Sequence, residues 1–224
     1  MNKITTGLTG LDEVLDGGLP ENTVTLLSGG PGTGKTLLGL NFLMHGAAAG
    51  EKCCYISVSE NREELLRACD CIESLKKAHK YIDKNLIFKD VMLGENIDMD
   101  HFVDMFQASP KIDRLVIDST NKFLITANDS KDYRVKLSKL IRHLKSRAKS
   151  TIMICETTGD SIDMGHGESF ECDGVIRLSF LDLEEKPMRI LQVHKLRYTD
   201  FEPRISHEFV ISKKDIRLGT SKAV

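Results

Sequence analysis

Three groups of residues in this chain have types and spacings that could handle phosphate chemistry. The first is Gly29-x4-Gly34-Lys35-Thr36, inside the stretch SGGPGTGKTL. Glycines let backbone N–H groups converge on phosphate oxygens without Cβ clashes. The start of a helix adds about half a positive charge at the same point. The expected nucleotide contacts are Gly30, Pro31, Gly32, Thr33, Gly34, Lys35, Thr36 and Leu37. Lys35 would reach the outer phosphates, and the Thr36 hydroxyl would bind Mg2+. The second group is acidic. Asp118 closes the apolar run RLVID, and Glu60 follows CCYISV. Ligands of open α/β sheets sit outside the carboxyl ends of strands. An acid at Asp118, downstream of a phosphate loop, suits Mg2+ held through water. A carboxylate at Glu60 suits orientation of an attacking water. By spacing alone it reads equally well as a solvated loop residue. The third group is Lys195 and Arg197, in VHKLRY. At i and i+2 of a strand they share a face, with Leu196 turned to the core. Two adjacent cations favour an anion between them. On spacing alone, a charged edge strand guarded against pairing is the better reading.

These residues need a scaffold, and the hydrophobic pattern supplies one. Strands are expected over residues 23–28, 53–58, 86–91, 114–118 and 151–155. Helices are expected over 34–49, 62–80, 99–107 and 132–149, the second opening at Asn61. Residues 174–182, 188–198 and 207–212 are strand-like, with no long helix between them. Alternating strands and helices imply a mostly parallel central sheet with helices on both faces. The last third reads as a C-terminal antiparallel β extension. The expected unit is one domain over residues 1–224.

Composition bounds the partners. The chain has 224 residues, 41% hydrophobic, enough for one full α/β core. There are 31 basic against 33 acidic residues, so no global charge draws it to nucleic acid or an anionic membrane. No apolar run reaches the 18 residues of a membrane span. No signal-peptide core opens the chain, and a cytoplasmic protein with reduced, mostly buried thiols is expected from its six cysteines. Asn121-Lys122-Phe123-Leu124 begins like the guanine-reading NKxD but lacks its Asp, which favours ATP over GTP.

The stretch ITTGLTGLDEVLDGGLPENTVTLLSGGPGTGKTLL, residues 4–38, resembles the opening of RecA-superfamily proteins, and most closely the KaiC-like branch. The likeness continues through YISVSEN, RLVIDST, ESFECDGVIRL and VHKLRYTDFEPRISHEFVIS, and covers one whole KaiC domain. It implies a RecA-like P-loop NTPase core that binds ATP and Mg2+ and forms homo-oligomeric rings, often hexamers, with ATP between subunits. It implies that Lys195 and Arg197 match the family's K-x-R, which reaches the γ-phosphate of a neighbour's ATP. Glu60 matches a catalytic glutamate position. The family often has two adjacent glutamates there; this chain has Ser59-Glu60. The adjacent Ser-Thr phosphorylation sites of the clock protein's second domain are replaced by Glu168-Ser169-Phe170-Glu171, which makes Ser169 autophosphorylation a minor expectation. Thr157 and Thr158 lie where RecA-like proteins place a polar nucleotide sensor.

The leading expectation is a slow ATPase acting as a signalling switch, with Lys35, Glu60, Lys195 and Arg197 in its chemistry and a regulatory protein as partner. One alternative is a DNA-binding recombinase paralogue. Its sole concentrated basic surface would be the helix YRVKLSKLIRHLKSRAKS. That helix reads better as a solvated face with Val135, Leu137, Leu140, Ile141 and Leu144 packed inward. Another alternative is an assembly scaffold ordered by ATP.

Overall fold

The computed structural model describes residues 2–91, 98–107, 111–183 and 186–222. Its strands are β1 (Lys3–Ile4), β2 (Leu19–Pro20), β3 (Thr23–Gly29), β4 (Cys53–Ser57), β5 (Leu86–Asp90), β6 (Ile112–Asp118) and β7 (Ala148–Glu156). They continue with β8 (Gly174–Leu181), β9 (Met188–Leu196), β10 (His207–Ile211) and β11 (Ile216–Lys222). The helices are α1 (Leu11–Val14), α2 (Lys35–Ala48), α3 (Arg62–Asp70), α4 (Glu73–Lys76), α5 (Met99–Gln107), α6 (Ser130–Arg147) and α7 (Glu168–Glu171).

Among the described residues, nine strands form one sheet in the order β11-β10-β9-β8-β3-β7-β6-β4-β5. The run from β8 to β5 is parallel. β9, β10 and β11 extend it antiparallel. This is the expected α/β architecture. Every residue of β3 is buried, because both sheet faces are covered and its sequence TVTLLSG tolerates that. One face packs Leu27, Val116 and Ile154 against α2 residues such as Phe42 and Leu43. The other packs Val24, Leu26, Leu115 and Met153 against Leu137, Leu140 and Leu144 of α6.

Three local expectations change. The helix expected over 62–80 is broken. α3 starts at an Asn61 capping box, but Ile72 turns extended to bury its side chain. The chain restarts at Glu73, whose amide donates to the Lys213 carbonyl at 2.9 Å. Long-range contacts outweigh local helix preference here. On α6, Leu137, Leu140, Ile141 and Leu144 face inward as expected, but Val135 is 51% exposed. β9 ends at Leu196, and Tyr198 lies at φ 68, so Arg197 sits just past the strand. The β1–α1–β2 entry, β11 and the 3-10 turn Thr120–Thr126 carried too weak a periodicity to be read. No described helix is long and apolar enough to cross a membrane. Five of the six cysteines are buried and all are free thiols; burial pushes Cys53 up to about 12 and Cys54 to about 11.

Candidate functional site

The phosphate loop is the turn from β3 into α2. Gly29 must be glycine because a Cβ there would overlap the Leu178 carbonyl oxygen of β8. Gly34 immediately precedes α2 at φ 104, and a Cβ there would lie 2.6 Å from Ile211 Cδ1 and 2.9 Å from Phe209 Cε1. The antiparallel extension thus packs directly on the loop. Lys35 is 7% exposed, and its ammonium donates to the Gly30 carbonyl at 2.8 Å. Burial lowers its pKa, against the opposing charges of Glu156 and Asp118. The Thr33 hydroxyl donates to the same Gly30 carbonyl at 2.8 Å.

Sheet order decides what surrounds this loop. β7 lies between β3 and β6, and β4 flanks β6 on the far side. The carboxyl ends of four neighbouring strands therefore carry the loop, Glu156, Asp118 and the Ser57–Glu60 turn in spatial sequence. Glu156 stands opposite Gly29 in register, and Asp118 opposite Ser57. Asp118 is buried, and its Oδ2 accepts from the Thr36 hydroxyl at 3.0 Å and from the Tyr55 hydroxyl at 2.5 Å. Burial raises its pKa even against these two hydrogen bonds and the Lys35 charge. Tyr55 is fully buried on β4; burial first, then the Asp118 charge, keeps its phenol protonated. A hydroxyl that gives its proton to a carboxylate keeps its lone pairs for a cation. Thr36 and Asp118 together therefore form a hard-oxygen donor set that fits Mg2+.

Glu60 lies two residues beyond Val58. Its amide donates to the Ser57 hydroxyl at 2.8 Å, which tightens the turn. Its side chain reaches solvent, yet partial burial first, then Asp118, Glu64 and Glu156, raise its carboxyl above the ordinary value. Sequence reasoning passed over Glu156, which follows the expected strand 151–155. Its strand-end position resembles that of Asp118, and that was the available signal. Asn121 brackets it, accepting from the Glu156 amide at 2.7 Å and donating to its carbonyl at 2.8 Å. Thr157 is buried, its amide donates to the Gly29 carbonyl at 3.1 Å, and its hydroxyl has no partner. Thr158 is exposed.

Lys195 and Arg197 do come together, but at the other end of the sheet. Leu196 stands opposite Gly174, itself opposite Thr25, while Gly29 stands opposite Leu178. Four residues of strand separate the two levels, about 13 Å at the usual rise. A bulge between Val175 and Ile176 pairs Lys195 and Val193 with consecutive residues, leaving His194 as the extra one. The Lys195 ammonium donates to the carbonyls of Ser169 (2.9 Å), Phe170 (3.1 Å) and Cys172 (2.6 Å). Arg197 pairs with Asp173 at 3.4 Å. Burial first, then Arg197, lowers the Lys195 pKa. Ser169 is buried, and its hydroxyl donates to Asp163 at 2.5 Å.

Several cations of the basic helix α6 are paired with acids. Lys136 pairs with Asp98 and Asp132, Lys145 with buried Asp173, and Arg134 with Glu171. Lys149, just past the helix, pairs with Asp113.

The comparisons agree with this fold. The family model described as "ATPase: KaiC" matches residues 4–223. A UPF0273 protein of Pyrococcus horikoshii is 29% identical, with 99% of this chain and 96% of that protein covered. The circadian clock protein KaiC2 of a Synechocystis species is 27% identical over 87% of this chain but only 36% of its own length. A crystal structure of a KaiC-like protein from Pyrococcus horikoshii superposes with a TM-score of 0.82 at 26% identity, covering 97% of this chain and 99% of that one.

Proposed function

The chain belongs to the KaiC ATPase family, and from that premise we propose a slow, ring-forming ATPase that acts as a regulatory switch. The single observation that carries this reading is the division of the site. The phosphate loop, Thr36, Asp118 and Glu60 gather at the carboxyl edge of the sheet, whereas Lys195 and Arg197 lie about 13 Å of strand away, at the opposite edge. A chain built this way needs a second copy to bring its cations to the phosphate.

In this reading residues 1–224 act as one domain. The loop amides and Lys35 bind the ATP phosphates. Thr36 and Asp118 hold Mg2+, which when bound neutralises phosphate charge. Glu60 takes the proton of the attacking water, and its raised pKa makes it a better base. Lys195 and Arg197 of the neighbouring copy stabilise charge on the γ-phosphate as its bond to the β-phosphate oxygen breaks. A cation supplied in this way contributes about 10³–10⁵ in rate. Slowness follows from Ser59, which leaves a single carboxylate where the family often has two. A regulatory protein reading the nucleotide state is the expected partner, and the acids paired with Arg134, Lys136 and Lys145 of α6 argue against nucleic acid.

The test is complementation. Lys35→Ala and Arg197→Ala proteins are each expected to lose phosphate release. Mixed, they form some interfaces with an intact loop from one copy and an intact Arg197 from the other, so activity returns in part. Mixed assemblies with no recovery would remove the shared site.

A further inference from the structure

We propose that the Tyr55 hydroxyl is a positioning residue for the metal site, acting through Asp118 to set Mg2+ affinity. The inference rests on the nucleotide-site reading above and adds a residue to it.

The geometry is specific. Tyr55 is fully buried on β4, with its ring edge-on to Phe88 at 6.0 Å. That packing accounts for an aromatic ring at this position; it does not account for the hydroxyl. The hydroxyl ends 2.5 Å from Asp118 Oδ2, and a buried hydroxyl without a partner is costly. Ser57 stands opposite Asp118 in the β4–β6 register and Tyr55 opposite Val116, so Tyr55 lies two residues below the metal-binding edge and reaches up to it. Asp118 therefore receives two proton donors on one oxygen, Thr36 from α2 and Tyr55 from β4. The second oxygen takes neither bond. A carboxylate rotating about its Cβ–Cγ bond would lose one of the two donors, so the pair fixes the plane of the group. Partners of this kind are worth about 10–100-fold in metal affinity.

Tyr55→Phe removes one oxygen and leaves the ring. The probe is a fluorescent N-methylanthraniloyl ATP, titrated with Mg2+ and, separately, in EDTA. The Mg2+ concentration for half-maximal binding is expected to rise about tenfold, while affinity in EDTA stays within twofold. Asp118→Asn provides the second arm. If Tyr55 acts through Asp118, adding Tyr55→Phe to Asp118→Asn changes Mg2+ dependence no further. A merely packed tyrosine would alter melting temperature and leave the Mg2+ midpoint alone. An unchanged midpoint in Tyr55→Phe, or full additivity with Asp118→Asn, overturns the role of Tyr55 and leaves the nucleotide site standing. A wild-type chain with no Mg2+-dependent nucleotide binding overturns both.

Discussion

Glu60 and Glu156 differ in how they could be found. Glu60 follows an apolar strand and stands where the resemblance expects a glutamate, so the sequence could single it out as a candidate. Glu156 follows one too, yet its importance depends on β7 lying beside the phosphate loop. Two predictions belong at this scale. Glu60→Gln should lower phosphate release about 10²–10⁴-fold with ATP affinity retained. In the wild type, release should rise with pH through an apparent pKa above the ordinary glutamate value, because Glu60 is raised and works only when ionised; a pH–rate series on both proteins checks this. Asp163 gives the opposite sign. Burial works to raise it, but hydrogen bonds from the Ser169 hydroxyl and amide and from the Gly165 amide outweigh that and hold it below the ordinary value. Its folded pKa is depressed, so its stabilisation is present above the unfolded value and is lost as pH falls through the folded one. Ser169→Ala should therefore cost about 1 kcal/mol at neutral pH, and the difference should shrink in acid melts.

The elements show where pattern reading was strong and where packing took over. A continuous apolar run such as that of β3 announces a doubly covered strand. The break between α3 and α4 does not announce itself, because residues 62–80 carry a plausible helical pattern. The break exists because Ile72 belongs to the core and because the Lys213 and Lys214 carbonyls accept from Glu73 and Ser74. The phosphate loop likewise depends on an element far away in sequence, since β10 closes over Gly34. Gly34→Ala places a methyl group against Ile211 and Phe209 at a positive φ. It should destabilise the chain by about 1–3 kcal/mol and weaken ATP binding, measurable by melting with and without nucleotide. Asn121 opens the stretch that begins like NKxD but lacks its Asp. Its observed work is to tie the end of β7 to the turn after β6, and Asn121→Ala should loosen Glu156 without touching the loop.

At the scale of the whole molecule, the separated cation pair predicts assembly. Light scattering after size exclusion should show a ring-sized species that ATP and Mg2+ stabilise, with slow phosphate release alongside. Assembly with no turnover would favour the ATP-ordered scaffold, and a monomer under both conditions would remove the shared site. The linear sequence was enough to determine the α/β class and the family, and to single out the glycine turn and Asp118 as candidates, because each depends on local spacing: a strand, a glycine turn, a helix, an acid at a strand end. It also paired Lys195 with Arg197, since alternation along a strand is local as well. Tertiary structure alone decided which strands neighbour which. That order put β7 beside the loop, brought Tyr55 to Asp118 from another strand, and set the K-x-R pair at the far edge. Such placements depend on sheet order and register between segments far apart in sequence, 63 residues for Tyr55 and Asp118, and no local pattern encodes them.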